Sequence, residues 1–325
     1  MKVLFVFGTR PEIIKCYSTY RALKKRGHEA KVYFTKQHFE KDLLVWQDFK
    51  YDVADIVKNY IPADVVLVQG DTWSCMEGAI FARRMNIPLG HIEAGIRSFD
   101  KRMVEEHIRS MVDFSADFLF APTKIAQDNL KKELKRESYL VGNPIYDLLK
   151  GQKKKKGYYI LVTIHRPETV DNAIVFEETI YGIDWISRWL DLPVKFPVHP
   201  RTISQLIYYG IYPGKNIELI RSLPYKTFIE AIKNARLVIT DSGGVQEEAS
   251  ILKVPCLTVR KSTERPETVE AKHNIVCGNS PGGMLLGANK ILSIFDNKEY
   301  DNVQLYGNGK AGEKIVKILE KQCKV

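Results

Sequence analysis

The sequence predicts an α/β protein of two similar, doubly wound halves, and three observations carry that prediction. Short apolar runs alternate with helix-forming segments along the whole chain, several runs end in glycine-containing or charged turns, and the pattern starts twice, at Met1 and again at Tyr158. Strands that alternate with helices imply parallel sheets covered on both faces. At 325 residues the chain exceeds the usual size of one hydrophobic core, so two domains of about 150 residues each are expected. The reading places them at 1–150 and 151–325, as two Rossmann-like halves facing across a cleft, with ligand at the carboxyl ends of the strands. The boundary is Gly151-Gln-Lys-Lys-Lys-Lys-Gly157, a polar run between glycines.

The first half opens with a strand over residues 3–7, followed by Gly8-Thr-Arg-Pro-Glu12 and a helix whose apolar register runs through Ile13, Ile14, Tyr17 and Leu23. Pro11 suits a first helical turn. Arg10 and Lys15 put two cations at the mouth of this loop, an arrangement useful to a diphosphate. A second strand covers Ala30 to Thr35, and Lys36-Gln37-His38 leads into another helical segment. The third strand, Val65 to Val68, ends in Gln69-Gly-Asp71-Thr72, and the fourth, Pro88 to Glu93, runs into Ala94-Gly-Ile-Arg97. Asp71 and Glu93 therefore stand at strand ends, where such sheets collect ligand-binding groups; the competing role for each is helix capping. Val104 to Val112 reads as a helix that sets Glu105 and Arg109 four residues apart, a spacing usual for surface ion pairs. A fifth strand follows at Phe118 to Pro122.

The second half starts with a strand over Tyr158 to Thr163 and the turn Ile164-His165-Arg166-Pro167-Glu168, an echo of the first loop. Strands at Val194 to Val198, ahead of His199, at Ile217 to Ile220 and at Leu237 to Thr240 come next. The last enters Asp241-Ser242-Gly243-Gly244-Val-Gln-Glu-Glu248, a strand, tight turn and helix. Successive backbone N–H groups at Ser242, Gly243 and Gly244, with the positive end of the helix behind them and no side chains in the way, form a site for phosphate. Glu247 and Glu248 lie one turn further, where a carboxylate can accept bonds from ribose hydroxyls. A strand at Pro255 to Val259 leads to a charged loop, Arg260 to Glu267, beside this nucleotide site. The last helix, Ala311 to Lys321, is amphipathic and can pack back on the first half.

Composition narrows the function. The net charge of +10, from 49 basic and 39 acidic residues, favours anionic partners, but the excess lies in local lysine runs typical of solvated surface, without a nucleic-acid module. Five scattered cysteines have no paired metal spacing, which argues against a metal site and for a reducing interior. The apolar run at the N-terminus is too short for a secretory or membrane segment, so a cytoplasmic protein without membrane attachment is expected.

Nine motifs in order resemble the UDP-N-acetylglucosamine 2-epimerase family, in particular its non-hydrolysing microbial members, which have the glycosyltransferase-B type of fold. They are Gly8-Thr-Arg-Pro-Glu12, Gln37-His38, Gly70-Asp-Thr72, His91-Ile-Glu-Ala-Gly-Ile-Arg97, Gly142-Asn-Pro144, Thr163-Ile-His-Arg166, Pro197-Val-His199, Asp241-Ser-Gly-Gly-Val-Gln-Glu-Glu248 and Thr263-Glu-Arg-Pro-Glu267. The resemblance spans nearly the whole chain. It departs from the usual Pro-Glu-Glu-x-Asn-Arg at Val104-Glu-Glu-His-Ile-Arg109, which lacks the proline and carries Ile108 for the asparagine, and at Pro197-Val-His-Pro-Arg201, which lacks the asparagine that often follows the histidine.

The resemblance implies interconversion of UDP-GlcNAc and UDP-ManNAc by elimination of UDP, through a 2-acetamidoglucal, with neither nicotinamide nor metal, in a homodimer. By motif position it implies Asp71, Glu93 and Glu105 as the acidic catalytic residues and His165 and Arg109 as their functional partners. It implies Arg10, Lys15, Ser242, Gly243, Gly244, Glu248 and Arg260 around UDP and sugar. For members that bind a second UDP-GlcNAc as activator, Gln37, His38, Arg166 and His199 are the candidates. A hydrolysing epimerase, a glycosyltransferase of the same fold and a non-catalytic UDP-sugar sensor share parts of this pattern.

Overall fold

The computed structural model describes residues 1–35, 37, 49–52 and 62–323. These form two compact units, one of Met1–Lys150 with Gln304–Val325, the other of Gly151–Val303.

The first unit is built on a six-stranded parallel sheet. Its strands are β1 (Lys2–Phe7), β2 (Glu29–Phe34), β3 (Val65–Gln69), β4 (Leu89–Ile92), β5 (Phe118–Ala121) and β6 (Tyr139–Leu140), in the order β2-β1-β3-β4-β5-β6. The helices of this stretch are α1 (Arg10–Lys25), α2 (Trp73–Arg84), α3 (Val104–Ser115), α4 (Lys124–Leu134) and α5 (Pro144–Leu149). β1 and β3 are apolar along their length and almost wholly buried, as expected of strands covered on both faces. Leu4, Val6, Val66, Val68 and Leu89 form the sheet side of a core that Ala79, Ala82, Ile108 and Val112 close from the helices.

The second unit repeats the plan with β7 (Tyr159–Thr163), α6 (Pro167–Val170), α7 (Ala173–Leu190), β8 (Val194–Val198), α8 (Pro200–Tyr209), β9 (Ile217–Arg221), α9 (Tyr225–Lys233) and β10 (Ala235–Thr240). It continues through α10 (Gly243–Leu252), β11 (Cys256–Thr258), α11 (Pro266–Glu270), β12 (Asn274–Val276) and α12 (Pro281–Asp296). Its sheet order is β12-β11-β10-β7-β8-β9, all parallel. The chain runs outward from β7 in one direction and from β10 in the other, so the loops after these two strands part at a topological switch point, the usual ligand position in open sheets.

The closing helix, α13 (Ala311–Gln322), belongs to the first unit and packs on α1 and α5. Asp147 accepts from the N–H groups of Ala311 at 2.9 Å and Gly312 at 2.8 Å, satisfying the helix start. Gly312 lies so close to α1 that a Cβ there would stand 2.6 Å from the Ser18 carbonyl carbon. Among the described residues no helix is long and apolar enough to cross a membrane, and no group of His, Cys, Asp and Glu is arranged to hold a metal ion.

Candidate active site

In the first unit the loops after β1, β3 and β4 are bound together by buried carboxylates. Glu12, one turn into α1, accepts from Gly8 N at 3.0 Å, Thr9 N at 2.8 Å and Thr9 Oγ1 at 2.7 Å, and its other oxygen accepts from Thr72 Oγ1 at 2.6 Å. The loops on either side of the β1–β3 switch point are thereby joined. Burial raises the Glu12 carboxyl to about 7, against the downward pull of those hydrogen bonds. Thr72 also caps α2 by accepting from Cys75 N at 3.2 Å, so the capping role that competed for Asp71 falls to its neighbour.

Asp71 instead meets Arg109. The guanidinium is buried, with one nitrogen on Asp71 Oδ2 and the other 2.7 Å from Glu106 Oε2. The spacing of Glu105 and Arg109 suggested a surface pair; the arginine bridges Glu106, three residues back, and Asp71 on another element. Glu106 in turn accepts from Ser98 N and Phe99 N, each at 3.0 Å, and so holds the turn beyond β4. Glu105 lies one residue earlier on α3 and is half-buried.

Glu93 follows β4 with φ of 70°, a left-handed conformation that costs a non-glycine residue roughly 1 kcal/mol. Strain of this kind persists where the surroundings over-determine it, and here they do. Lys15 Nζ stands 2.5 Å from Glu93 Oε1, and Gln69 Nε2 donates to Oε2 at 2.5 Å. Lys15, expected at the mouth of the first loop facing a diphosphate, is buried on this carboxylate. Deeper still, His91 bridges Asp113 Oδ1 at 2.7 Å and the Gly70 carbonyl at 2.9 Å. The second oxygen of Asp113 accepts from Gly95 N at 3.1 Å and pairs with Arg97 at 2.8 Å. Burial pushes the Asp113 carboxyl up, but His91 and Arg97 outweigh it and hold it below its ordinary value. One aspartate on α3 thus fixes the residue before Asp71 and the second residue after Glu93.

In the second unit the switch point lies between β7 and β10. Ser242 stands at the N-cap of α10 without using its hydroxyl as a cap, while its N–H donates to Thr240 Oγ1 at 2.9 Å. Gly243 and Gly244 open the helix. A Cβ on Gly243 would stand 2.6 Å from Glu264 Oε1, whereas one on Gly244 would meet nothing nearer than 4.0 Å. The first glycine is therefore required by a protein carboxylate, and the second leaves open space at a positive helix end. Glu264 takes a hydrogen bond from Arg260 at 2.6 Å and one from Arg166 at 3.2 Å, so both arginines are partly neutralised. Glu247 is buried against Arg265 at 2.5 Å, and Glu248 is buried on the same helix.

His165, just past β7, has a side chain 41% exposed, with Nδ1 3.5 Å from Asp241 Oδ1. Its ring lies 6.2 Å from that of His199, centroid to centroid. His199 caps α8, its Nδ1 accepting from Arg201 N at 3.2 Å. Of the activator candidates, Arg166 and His199 therefore belong to the second unit. Gln37 lies in the first, where its amide oxygen accepts from Ser74 N at 3.0 Å and Oγ at 2.7 Å; His38 lies outside the described residues. Arg10 is the first residue of α1 and half-buried. Sequence reading passed over Glu12, Glu106, Asp113 and Glu264 as organisers. Glu12 had a local signal in the Thr9-x-x-Glu12 capping box, and Glu106 had one in its place three residues before Arg109.

Two parallel six-stranded sheets, acidic side chains at the strand ends of one unit and a Ser-Gly-Gly helix start in the other define a nucleotide-sugar enzyme of the glycosyltransferase-B type. The family model described as UDP-N-acetylglucosamine 2-epimerase matches residues 49–320. The UDP-N-acetylglucosamine 2-epimerase of Methanocaldococcus jannaschii is 38% identical over 365 residues, which cover 98% of this chain and 99% of that protein. A crystal structure of the enzyme from the same organism in complex with UDP-GlcNAc and UDP gives a TM-score of 0.87 at 35% identity, covering 99% of this chain and 100% of the other. The Neisseria meningitidis enzyme bound to UDP-GlcNAc gives 0.85 at 27% identity, covering 99% and 100%. The chain belongs to the UDP-N-acetylglucosamine 2-epimerase family.

Proposed function

We propose that the protein interconverts UDP-N-acetylglucosamine and UDP-N-acetylmannosamine without hydrolysing either. The observation that carries this reading is the full-length likeness to UDP-GlcNAc 2-epimerases in a chain whose Asp71 and Glu93 follow β3 and β4 and whose Glu105 lies in the first turn of α3.

The C2 proton of the sugar is not beside a carbonyl, so simple deprotonation is far too slow. In elimination, a carboxylate takes that proton as the C1–O bond breaks, the C–H electrons become the C1–C2 double bond of a 2-acetamidoglucal, and UDP leaves with the bonding pair. In the return step UDP oxygen attacks C1 while a proton reaches the opposite face of C2. Asp71, Glu93 and Glu105 supply the acid and base groups, and Arg109 fixes Asp71. The N–H groups at the start of α10, with Ser242, Gly243, Gly244 and Arg260, receive the diphosphate charge, and Glu248 receives the ribose. His165 offers a ring nitrogen to the substrate. Arg10 adds positive charge to the first unit, and Lys15 neutralises Glu93.

Two copies associate in this proposal. α2 and α3 pack on each other, and Trp73, Ile80, Val104, Met111 and Phe114 are exposed along them; exposed large apolar side chains on neighbouring helices support that reading. Sedimentation should give a dimer that M111D splits. The proposed compartment is the cytoplasm, where the five free thiols stay reduced.

The test is incubation with UDP-GlcNAc in deuterated water, followed by NMR at C1 and C2. UDP-ManNAc carrying deuterium at C2 is expected. Free ManNAc with stoichiometric UDP would reassign the protein to the hydrolysing class, and bound but unchanged nucleotide would remove it from the epimerases.

A further inference from the structure

Asp241 is fully buried at the end of β10, and its two carboxylate oxygens are used unequally. Oδ2 accepts from the backbone N–H of His165 at 2.9 Å and from that of Arg166 at 2.8 Å. Oδ1 has no hydrogen-bond partner among the described residues. A buried acceptor left without a donor is costly, so such an oxygen marks a place where something is held. What stands beside it is the imidazole of His165, with Nδ1 at 3.5 Å. The contact is built by the sheet: β7 and β10 are neighbours, Thr163 pairs with Thr240, and the residues that follow face each other across the switch point. The two backbone bonds fix the carboxylate, so the orientation of Oδ1 toward the ring is set by the fold.

We infer that Asp241 is a positioning residue that holds His165 in the tautomer carrying its proton on Nδ1, leaving Nε2 as the nitrogen offered to the substrate. The inference rests on the proposed role of His165. Its physical basis is the mismatch of the other tautomer, which would turn an Nδ1 lone pair toward a buried carboxylate oxygen. A separation of 3.5 Å is longer than a full hydrogen bond, and contacts of this kind close when substrate arrives. Because the histidine side chain is 41% exposed, the edge away from Asp241 is accessible. The elimination step then has a ring nitrogen whose state is chosen in advance.

The test is two-bond 15N–1H correlation on protein labelled at its seven histidines, with His165 assigned by H165Q. Recorded at alkaline pH, above the ordinary imidazole range, wild-type protein is expected to show the His165 proton on Nδ1; a proton on Nε2 overturns the inference without any variant of Asp241. In D241N the amide oxygen keeps the two backbone N–H donors, so the amide NH2 must face the ring and demand an acceptor. The variant should therefore keep its fold, switch His165 to the Nε2–H form and lose roughly 100-fold or more in kcat, with KM changed by less than about threefold. An unchanged tautomer in D241N overturns the proposal, because a merely structural aspartate would not select a ring proton. If the tautomer switches but wild-type protein does not turn over UDP-GlcNAc, the positioning role stands and the epimerase reading fails.

Discussion

Lys15 and Glu93, 78 residues apart in sequence, meet as a buried ion pair at 2.5 Å. Removing one partner of such a pair strands the other charge, which typically costs about 3–5 kcal/mol. K15M should accordingly lower the denaturant midpoint sharply, and K15M/E93Q should recover much of the loss. A double-mutant cycle by urea unfolding reads the coupling. E93Q should lose stability too, since it sets a neutral amide against the buried Lys15 ammonium, but it keeps an acceptor for Gln69, and the folded fraction should bind UDP while losing deuterium incorporation at C2. Additive losses in the cycle would mean that the pair is not energetically coupled.

Arg109 joins Asp71 and Glu106 through two separate nitrogens. A lysine ammonium is a point charge and cannot span both carboxylates. R109K should let Asp71 drift, and a displacement of about 1 Å near the chemistry is enough for a loss of roughly 100-fold in turnover. Steady-state kinetics should show the fall in kcat rather than in UDP affinity. Equal losses in both would place Arg109 in nucleotide binding instead.

The two glycines of α10 should separate structure from binding. G243A drives a Cβ to 2.6 Å from Glu264 Oε1 and disturbs the Arg260 and Arg166 contacts, so it should lower thermal stability as well as affinity. G244A points into open space and should leave the melting temperature nearly unchanged while weakening UDP binding about tenfold or more, measured by calorimetry. Unaltered UDP binding in G244A would move the nucleotide away from this helix.

These contrasts show what a chain can reveal before it is folded. β1, β3 and β10 were legible because strands buried on both faces are written as apolar runs. β6, of 2 residues, and β12, of 3, are too short to carry such a pattern. Asp71 and Glu93 could be picked out by their place at strand ends, but their partners could not. Lys15 comes from 78 residues away, and Arg109 reaches Asp71 across 38 residues, while on its own helix it pairs with Glu106, three residues back. The asymmetry of Asp241 is equally non-local, since its bonds to the His165 loop exist only once β7 and β10 pair.

Acid should act on the second unit through His273. Burial and the nearby Lys253 charge lower this imidazole from 6.5 to about 4, and it sits neutral between the Ser250 hydroxyl at 2.7 Å and the Asp301 carbonyl at 2.6 Å. A depressed folded value means stability that is complete above pH 6.5 and is lost as pH falls through 4. The difference corresponds to something on the order of 3 kcal/mol. Amide exchange in β10 to β12, corrected for intrinsic rates, should accelerate over that window, and H273Q should flatten the dependence.

Glu12 gives the first unit the opposite slope. Its carboxyl is raised from 4.5 to about 7, chiefly by burial. A raised folded value means that the contribution is complete below pH 4.5 and disappears as pH rises through 7, because the ionised form must then stay buried. The free energy involved is again on the order of 3 kcal/mol. E12Q is a neutral mimic of the protonated acid and should remove this slope: its stability relative to wild type should improve steadily from pH 4.5 to 7 and then level off. Urea unfolding at several pH values would read the difference. A flat difference across that range would show that the bonds from Gly8, Thr9 and Thr72 keep Glu12 ionised throughout, and the β1 and β3 loops would then be joined by a charge rather than by a neutral acid.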